Sequence, residues 1–235
     1  MSLTTDRPDF PPLLDGRAVA GDPVEAAVRA AQGGADPGLV LFDPAAADMA
    51  VAMILAPEVP LSRAAVMLPL AALAFQNAMG SIGPSELPVH LQWDGAIRIN
   101  GARCGRARVL VPETARDAVP DWMVMGVELR VVPEGDGGDN PDETALHAEG
   151  CGDLGPLDLT EMWARHALAW IHRWEEGGTG ELHRDWSALA HGLGAPTEIG
   201  GGPGTFLGLD EELKMLKTTG AGTQMIPLTA MLEIR

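Results

Sequence analysis

The sequence predicts an α+β protein with a mixed, mostly antiparallel sheet, packing helices and a small C-terminal β-barrel. Three observations support this fold class. The Asn100-Gly101 pair separates two extended runs, which is a strong signal for a β-hairpin. The apolar segment 62–79 is too long for a strand and therefore predicts a buried helix. Several short strand patterns follow a Gly/Pro-rich linker at 192–204.

The first half of the chain begins with a Pro-rich segment, 1–20, that is predicted to be irregular. Asp22 and Pro23 are typical of a helix start, and this helix should extend to about Gln32. Two buried strands are expected next, at 38–42 and 49–55. The buried helix over 62–79 follows, and the glycines after it indicate its end.

The second half begins with the hairpin region, in which strands are predicted at 89–93, 97–99 and 103–110. A further strand over 122–132 is apolar enough to be central, and an acidic, Gly-rich loop follows at 135–142. Helices are predicted over 158–177 and about 180–192. The linker then divides the chain into domains 1–192 and 193–235. The barrel strands, expected apart from the main sheet, are placed at 205–209, 213–216, 223–226 and 230–235.

Composition excludes several classes of function. The formal net charge of −17 repels nucleic-acid backbones and anionic lipids, so neither is an expected partner. The longest apolar run, 64–75, is too short to span a bilayer, and no targeting segment is visible. Cys104 and Cys151 lack the spacing of a zinc site or a disulfide framework, which favours the cytoplasm. No lysine precedes Lys214, so a catalytic lysine in the first domain is excluded.

The segment 91–105 carries a family resemblance. It resembles the signature K-W-P-N-D-x-x-x-N-G-x-K-x-x-G of the biotin/lipoate protein ligase family, and Trp93 and Asn100 keep the expected separation of seven. Segment 124–131 resembles a later family strand, and 159–186 resembles the two closing helices. The tail from 204 is similar to the family's SH3-like C-terminal domain. The resemblance implies a class II synthetase-like catalytic fold over about 38–235.

The resemblance also implies a chemistry: ATP activates the carboxylate of biotin or lipoate, and the acyl group passes to a lysine of a carrier domain. The family's G-R-G-R-x-G-R loop, which wraps the acyl-adenylate, should join the first two strands. Here that position holds Asp43-Pro-Ala-Ala-Ala-Asp48, without glycine or arginine. The signature lysine before Trp93 is Gln92.

Other signature positions differ as well. The signature acid aligns to Ala96, with Asp94 two residues away, and the catalytic lysine is replaced by Arg103. In the later strand, Glu128 replaces the second glycine and Arg130 replaces the asparagine. Residues implied in catalysis are therefore Arg103 and Asp94. Residues implied in ligand binding are Trp93, Gly105, Gly126, Glu128 and Arg130.

The alternation of strand 124–131 places Gly126, Glu128 and Arg130 on one face, which the resemblance identifies as the ligand face. A buried carboxylate needs a cation, so Glu128 is predicted to contact Arg103 or Arg130 and to fill the pocket partly. These residues form either a new polar pocket or a structural ion-pair network.

An arginine cluster, comprising Arg98, Arg103, Arg106 and Arg108, allows two interpretations. It is either an anion site or a solvated hairpin edge whose charges discourage strand addition. No metal site is predicted, since the histidines lack the spacing of metal ligands.

Two functions remain open. The favoured one is a protein without ordinary ligase activity that binds a carrier domain or a small carboxylate. The alternative is an active biotin- or lipoate-type ligase or transferase, which alone would require ATP and biotin or lipoate. A winged helix is not expected, which argues against the DNA-binding form of the family, and a homodimer is compatible with the sequence.

Overall fold

Eight strands form one mixed sheet in the computed structural model, which describes residues 7–133 and 140–235. The order is β1 (Asp15–Ala18), β2 (Leu39–Phe42), β3 (Met49–Leu55), β7 (Met123–Leu129), β6 (Ala102–Val111), β5 (Ala96–Ile99) and β4 (Val89–Leu91), and the eighth strand pairs with β6. β1 is parallel to β2, and the other neighbours in this order are antiparallel. The fold is therefore α+β with a mostly antiparallel sheet. β1 lies in the segment predicted to be irregular, so that prediction was wrong there.

Four helices follow α1 (Pro23–Gln32): α2 (Leu61–Ala64), α3 (Met67–Ile82), α4 (Pro156–Gly177) and α5 (Gly180–Ala188). α3 and α4 pack on one sheet face, and the side chains of Met125 and Val127 in β7 join the same core. Two indole N–H groups fix the helix pair: Trp163 donates to the Ala71 carbonyl at 3.0 Å, and Trp170 donates to Asn77 Oδ1 at 2.8 Å. Part of the predicted acidic loop, 135–139, lies outside the described residues.

The helical stretch Leu61–Ile82 is more extensive than the apolar run seen in the sequence. This stretch of 22 residues is long and apolar enough to cross a membrane, but 72% of its most apolar segment is buried inside the protein. A central helix of a globular fold has the same composition, because it is covered on all sides by the core. The predicted single helix is interrupted at 65–66, between α2 and α3.

The first helix covers the opposite face of the sheet. Asp22 caps α1 by accepting hydrogen bonds from the amides of Val24 at 2.8 Å and Glu25 at 3.2 Å. Val24 and the other buried residues of α1 pack against β2, β3 and the side chain of Val124 in β7. Val24 lies directly over Gly126. A Cβ at Gly126 would be 2.8 Å from the Val51 carbonyl oxygen and 3.2 Å from Val24 Cγ2.

This close approach predicts the effect of Gly126→Ala. The added methyl group meets the Val51 carbonyl oxygen of β3 first and Val24 of α1 next, so strand and helix must both shift. We expect a loss of about 1–3 kcal/mol of unfolding free energy, measured by chemical denaturation. Gly177→Ala at the end of α4 is the matched control, because a Cβ there meets no atom within 4 Å. Equal unfolding free energies for the two variants would contradict the close packing of Val24 and Val51 against Gly126.

The C-terminal region forms a second, four-stranded antiparallel sheet that is compatible with an SH3-like barrel. Its order is β11 (Gly222–Ile226), β10 (Met215–Thr219), β9 (Gly204–Leu209) and β8 (Pro196–Thr197). β12 (Glu233–Ile234) instead pairs in parallel with Leu110 and Val111 of the main sheet. Assigning the last strand to the small barrel was therefore wrong, because β5 leaves this end of β6 uncovered. The domain boundary at 192/193 stays a prediction.

Candidate functional site

A cleft of about 430 Å³ opens at one end of the sheet, beside the start of α1. It lies where the beginnings of α1 and β3 approach the end of β7 and the first half of β6. Its charged lining residues are Asp22, Asp48, Arg103, Arg106, Glu128, Arg130 and Glu143. Four carboxylates and three guanidinium groups therefore share one concave surface, which suits a polar or charged ligand.

Glu128 is paired, as expected, but with different arginines. Its carboxylate oxygens accept hydrogen bonds from Arg106 Nε at 3.1 Å and from an Arg108 terminal nitrogen at 2.7 Å. The predicted contact with Arg103 or Arg130 was wrong. The strand register explains the difference, because Arg106 lies directly opposite Glu128 and the β6–β7 pairing ends at Gly105, before Arg103.

The same ion-pair network continues to the C-terminal strand. Arg108, only 8% exposed, makes two further hydrogen bonds to Glu233 at 2.7 and 2.6 Å. Arg235 then joins Glu233 at 3.3 Å to Glu25 of α1 at 3.2 Å. The hydrogen bonds from Arg108 lower the pKa of Glu233, and those from Glu233 and Glu128 raise the pKa of Arg108. The network fixes this side of the cleft.

Arg103 and Arg130 lie on the other side of the cleft. Arg130 contacts Glu143 at 3.3 Å, and both side chains are about a third or more exposed. The Arg103 backbone is held on both sides, since its amide donates to Asp142 and its carbonyl accepts from Thr144. Within 7–133 and 140–235, the Arg103 guanidinium has no ion-pair partner. Its side chain is exposed and lines the cleft.

The β2–β3 connection, Asp43–Asp48, is a tight turn, and the resemblance places the adenylate-wrapping loop here. Asp43 accepts hydrogen bonds from the amides of Ala45 and Gly21, each at 2.9 Å. These two bonds lower the pKa of Asp43. Asp48 accepts a hydrogen bond from the Val131 amide at 2.8 Å. Both carboxylates therefore accept hydrogen bonds from backbone amides, and the turn contributes no positive charge to the cleft.

The residues named by resemblance divide between different places. Arg103, Gly105, Glu128 and Arg130 line the cleft. Gly105 is needed there for close packing, since a Cβ would be 2.1 Å from the Glu128 carbonyl oxygen.

The other three lie outside the residues that line the cleft. Gly126 is covered by α1. Asp94 lies in the β4–β5 turn, where its carboxylate accepts a hydrogen bond from the Ala96 amide at 3.1 Å. Trp93 is buried and donates its indole N–H to the Leu213 carbonyl at 2.8 Å, which joins the turn to the C-terminal region. Whether any of these residues binds a ligand stays a prediction.

Sequence reasoning missed the charged residues that complete the cleft and its network. Asp22 and Asp48 line the cleft from the starts of α1 and β3. Glu233 lies in a segment that was predicted to belong to the small barrel. The arginine cluster was the available signal. The arginines of this cluster have different partners in the structure. Arg106 and Arg108 form ion pairs with Glu128, while Arg98 hydrogen-bonds to Gln92 at 3.0 Å. A solvated edge therefore does not describe Arg108.

Comparison with known proteins gives matches of two kinds. The model of the biotin/lipoate A/B protein ligase family matches residues 10–188. A crystal structure of a biotin protein ligase-like protein of unknown function from Silicibacter sp. TM1040 is 49% identical, with a TM-score of 0.89 over 96% of this chain and 99% of that one. No curated protein sequence matches.

More distant solved structures are similar in fold alone. Biotin protein ligase from Aquifex aeolicus is 17% identical, with a TM-score of 0.70 over 93% of this chain and 96% of its own. Biotin protein ligase from Leishmania major, in complex with biotinyl-5-AMP, is 13% identical, with a TM-score of 0.56 over 92% and 99% of the two chains.

Proposed function

Because the chain belongs to the biotin/lipoate A/B protein ligase family, we propose that it uses the family's fold to bind a carboxylate without ordinary ligase activity. The carboxylate is either a small free molecule or part of a group presented by a carrier domain. The protein acts in the cytoplasm, and neither nucleic acid nor membrane is its partner. Fold alone does not carry this proposal, since one fold supports many functions.

The observation that carries the proposal is the turn Asp43–Asp48. Acyl-adenylate formation needs cations around the reacting phosphate and a closure that keeps water out. The turn has six residues, and both of its carboxylates are hydrogen-bonded to backbone amides. It is too short and too acidic to close over an adenylate. A carboxylate activated in this cleft would therefore remain open to water.

The arginines of the cleft support binding rather than activation. Among the described residues, Arg103 has no ion-pair partner, and the one ion pair of Arg130 is with Glu143 at a partly exposed position. An exposed ion pair contributes about 0–1 kcal/mol, so a ligand carboxylate can replace Glu143 at little cost. Guanidinium groups bind carboxylates through two parallel hydrogen bonds. The two arginines therefore form the expected carboxylate contact.

We expect no biotin- or lipoate-dependent exchange of pyrophosphate into ATP. The family's glycine- and arginine-rich loop is absent, and its two signature lysines are replaced by Gln92 and Arg103. The measurement is isotope exchange with the full chain, with an active biotin protein ligase as positive control. Exchange above background that disappears in Arg103→Ala would contradict the proposal. It would favour the alternative, an active acyl ligase in which Arg103 at the lysine position contacts the reacting group.

Binding is tested separately by calorimetry with octanoate, lipoate and biotin. At least one of these carboxylates should bind, and Arg103→Gln should weaken that binding by about tenfold through loss of a charge-assisted hydrogen bond. Arg29→Gln is the control, because Arg29 lies exposed near the end of α1, away from the cleft. A carrier domain that binds while all free carboxylates fail would identify the presented form as the ligand. Failure of both would refute the proposal.

A further inference from the structure

A second pocket, of about 390 Å³, lies between the β4–β5 turn and the small C-terminal sheet. Its apolar wall is formed by Trp93, Phe206 and Met215, each almost fully buried. Its polar wall includes Arg98 of β5 and His191, which follows α5. None of its lining residues is shared with the cleft described above. It is therefore a separate concave site with one apolar and one polar side.

Arg98 and His191 line the polar wall, and His90 lies behind them, outside the lining residues. His90 and Arg98 are paired across β4 and β5, so their side chains lie on the same face of the sheet. The rings of His90 and His191 contact edge to face, with centroids 6.4 Å apart. The neighbouring Leu91 holds His191 in place, since its carbonyl accepts the His191 amide at 2.8 Å.

Among the residues that the structure describes, Arg98 has neutral partners. Arg98 donates to Gln92 Oε1 at 3.0 Å and to the Gly101 carbonyl at 2.8 Å. The Nδ1 atom of His90 is buried without a hydrogen-bond partner. Burial lowers the pKa of His191, and the charges of Arg98 and His90 lower it further. The pocket therefore holds one guanidinium with neutral partners, in a protein with a net charge of −17.

The acid that lines the pocket does not neutralise this guanidinium. Glu198 lies at the rim of the pocket, is exposed and makes no ion pair with Arg98 or either histidine. A guanidinium bound only to neutral groups gains from a nearby anion. The apolar wall opposite this guanidinium favours a ligand whose remaining part is apolar.

We propose that this pocket is a second binding site, which takes a small anion with an apolar or aromatic body, such as an aryl carboxylate. The carboxylate receives hydrogen bonds from Arg98 and His191, and the ring packs on Trp93 and Phe206. Gln92 contributes its amide N–H₂ as a neutral donor. The inference goes beyond the function proposed for the cleft and does not depend on it.

The test uses benzoate as probe, benzamide as its neutral counterpart and inorganic phosphate as an anion without an apolar body. Calorimetry on the full chain should give benzoate binding at least about tenfold tighter than benzamide or phosphate. Arg98→Gln and His191→Gln should each weaken benzoate binding by about tenfold, whereas Arg103→Gln and Arg29→Gln should not.

Nuclear magnetic resonance of the wild type tests the site without a variant. Benzoate should shift the imidazole signals of His90 and His191 and leave those of His172, exposed on α4, unchanged. Equal affinity for benzoate and benzamide would overturn the anion site. Loss of binding in Arg103→Gln alone would assign the probe to the cleft and overturn this second site while leaving the proposed function intact. Absence of any benzoate binding would also overturn it.

Discussion

Lys217→Met is expected to lower the free energy of unfolding by about 3–5 kcal/mol. Lys217 is fully buried in the small C-terminal sheet, and its ammonium donates to three carbonyls: Ile199 at 2.9 Å, Gly201 at 2.8 Å and Gly202 at 3.0 Å. Methionine retains most of the side-chain volume but removes all three donors. Each hydrogen bond to the charged ammonium contributes about 1.5–3 kcal/mol, and because Gly201 and Gly202 are exposed, water replaces part of what the carbonyls lose.

Lys214→Met is the matched control, because it removes the same groups three residues earlier. Lys214 is partly exposed and pairs with Asp210 and Glu212 at the surface, so its loss should cost about 0–1 kcal/mol. Denaturant unfolding followed by tryptophan fluorescence is suitable, because Trp93 donates to Leu213 and so reports on the contact between the two regions. Equal losses in both variants would contradict a specific role for Lys217.

Arg108→Met is expected to cost about 3–5 kcal/mol, because it leaves two carboxylates without their common cation. Glu128 and Glu233 both accept from Arg108, whose side chain is 8% exposed. Arg106→Met changes the same residue type on the same strand at a position that is 44% exposed, and should cost about 0–1 kcal/mol. An Arg108→Met loss no larger than that of Arg106→Met would refute the structural role of the network.

This loss should also depend on pH. Arg108 holds the pKa of Glu233 below its ordinary value of 4.5 in the folded protein. The resulting stability is fully present above the unfolded pKa and is lost as pH falls through the lowered folded pKa. The difference between wild type and Arg108→Met should therefore be largest near neutral pH and shrink below about pH 4.5. Denaturation curves at several pH values measure it, and a constant difference down to pH 3 would contradict this assignment.

Local features of the chain were predictable because short-range chemistry determines them. Asp22 and Pro23 start α1 where the sequence indicates, since the cap uses only neighbouring amides. Asn100 and Gly101 adopt positive φ angles of 51° and 88°, which the two-residue hairpin turn requires. The family resemblance likewise rested on this hairpin. Composition alone indicated that no lysine serves the first domain.

Long-range pairing decided the parts that the sequence left open. Glu128 contacts Arg106 and Arg108 because the β6–β7 register brings them together, and register depends on the whole sheet. β1 has little apolar signal and exists because β2 offers it hydrogen bonds.

The C-terminal strand and the cleft show the same dependence on tertiary structure. Glu233 reaches Arg108 only because β12 occupies the uncovered end of β6, over a hundred residues away in the chain. The cleft likewise combines acids and arginines from the ends of α1, β3, β6 and β7 and from the loop that contains Glu143. The sequence by itself determined the fold class, the cap of α1 and the hairpin; the last two follow from neighbouring residues. Only the tertiary structure decided which charges meet, because strand register and packing bring together residues distant in the chain.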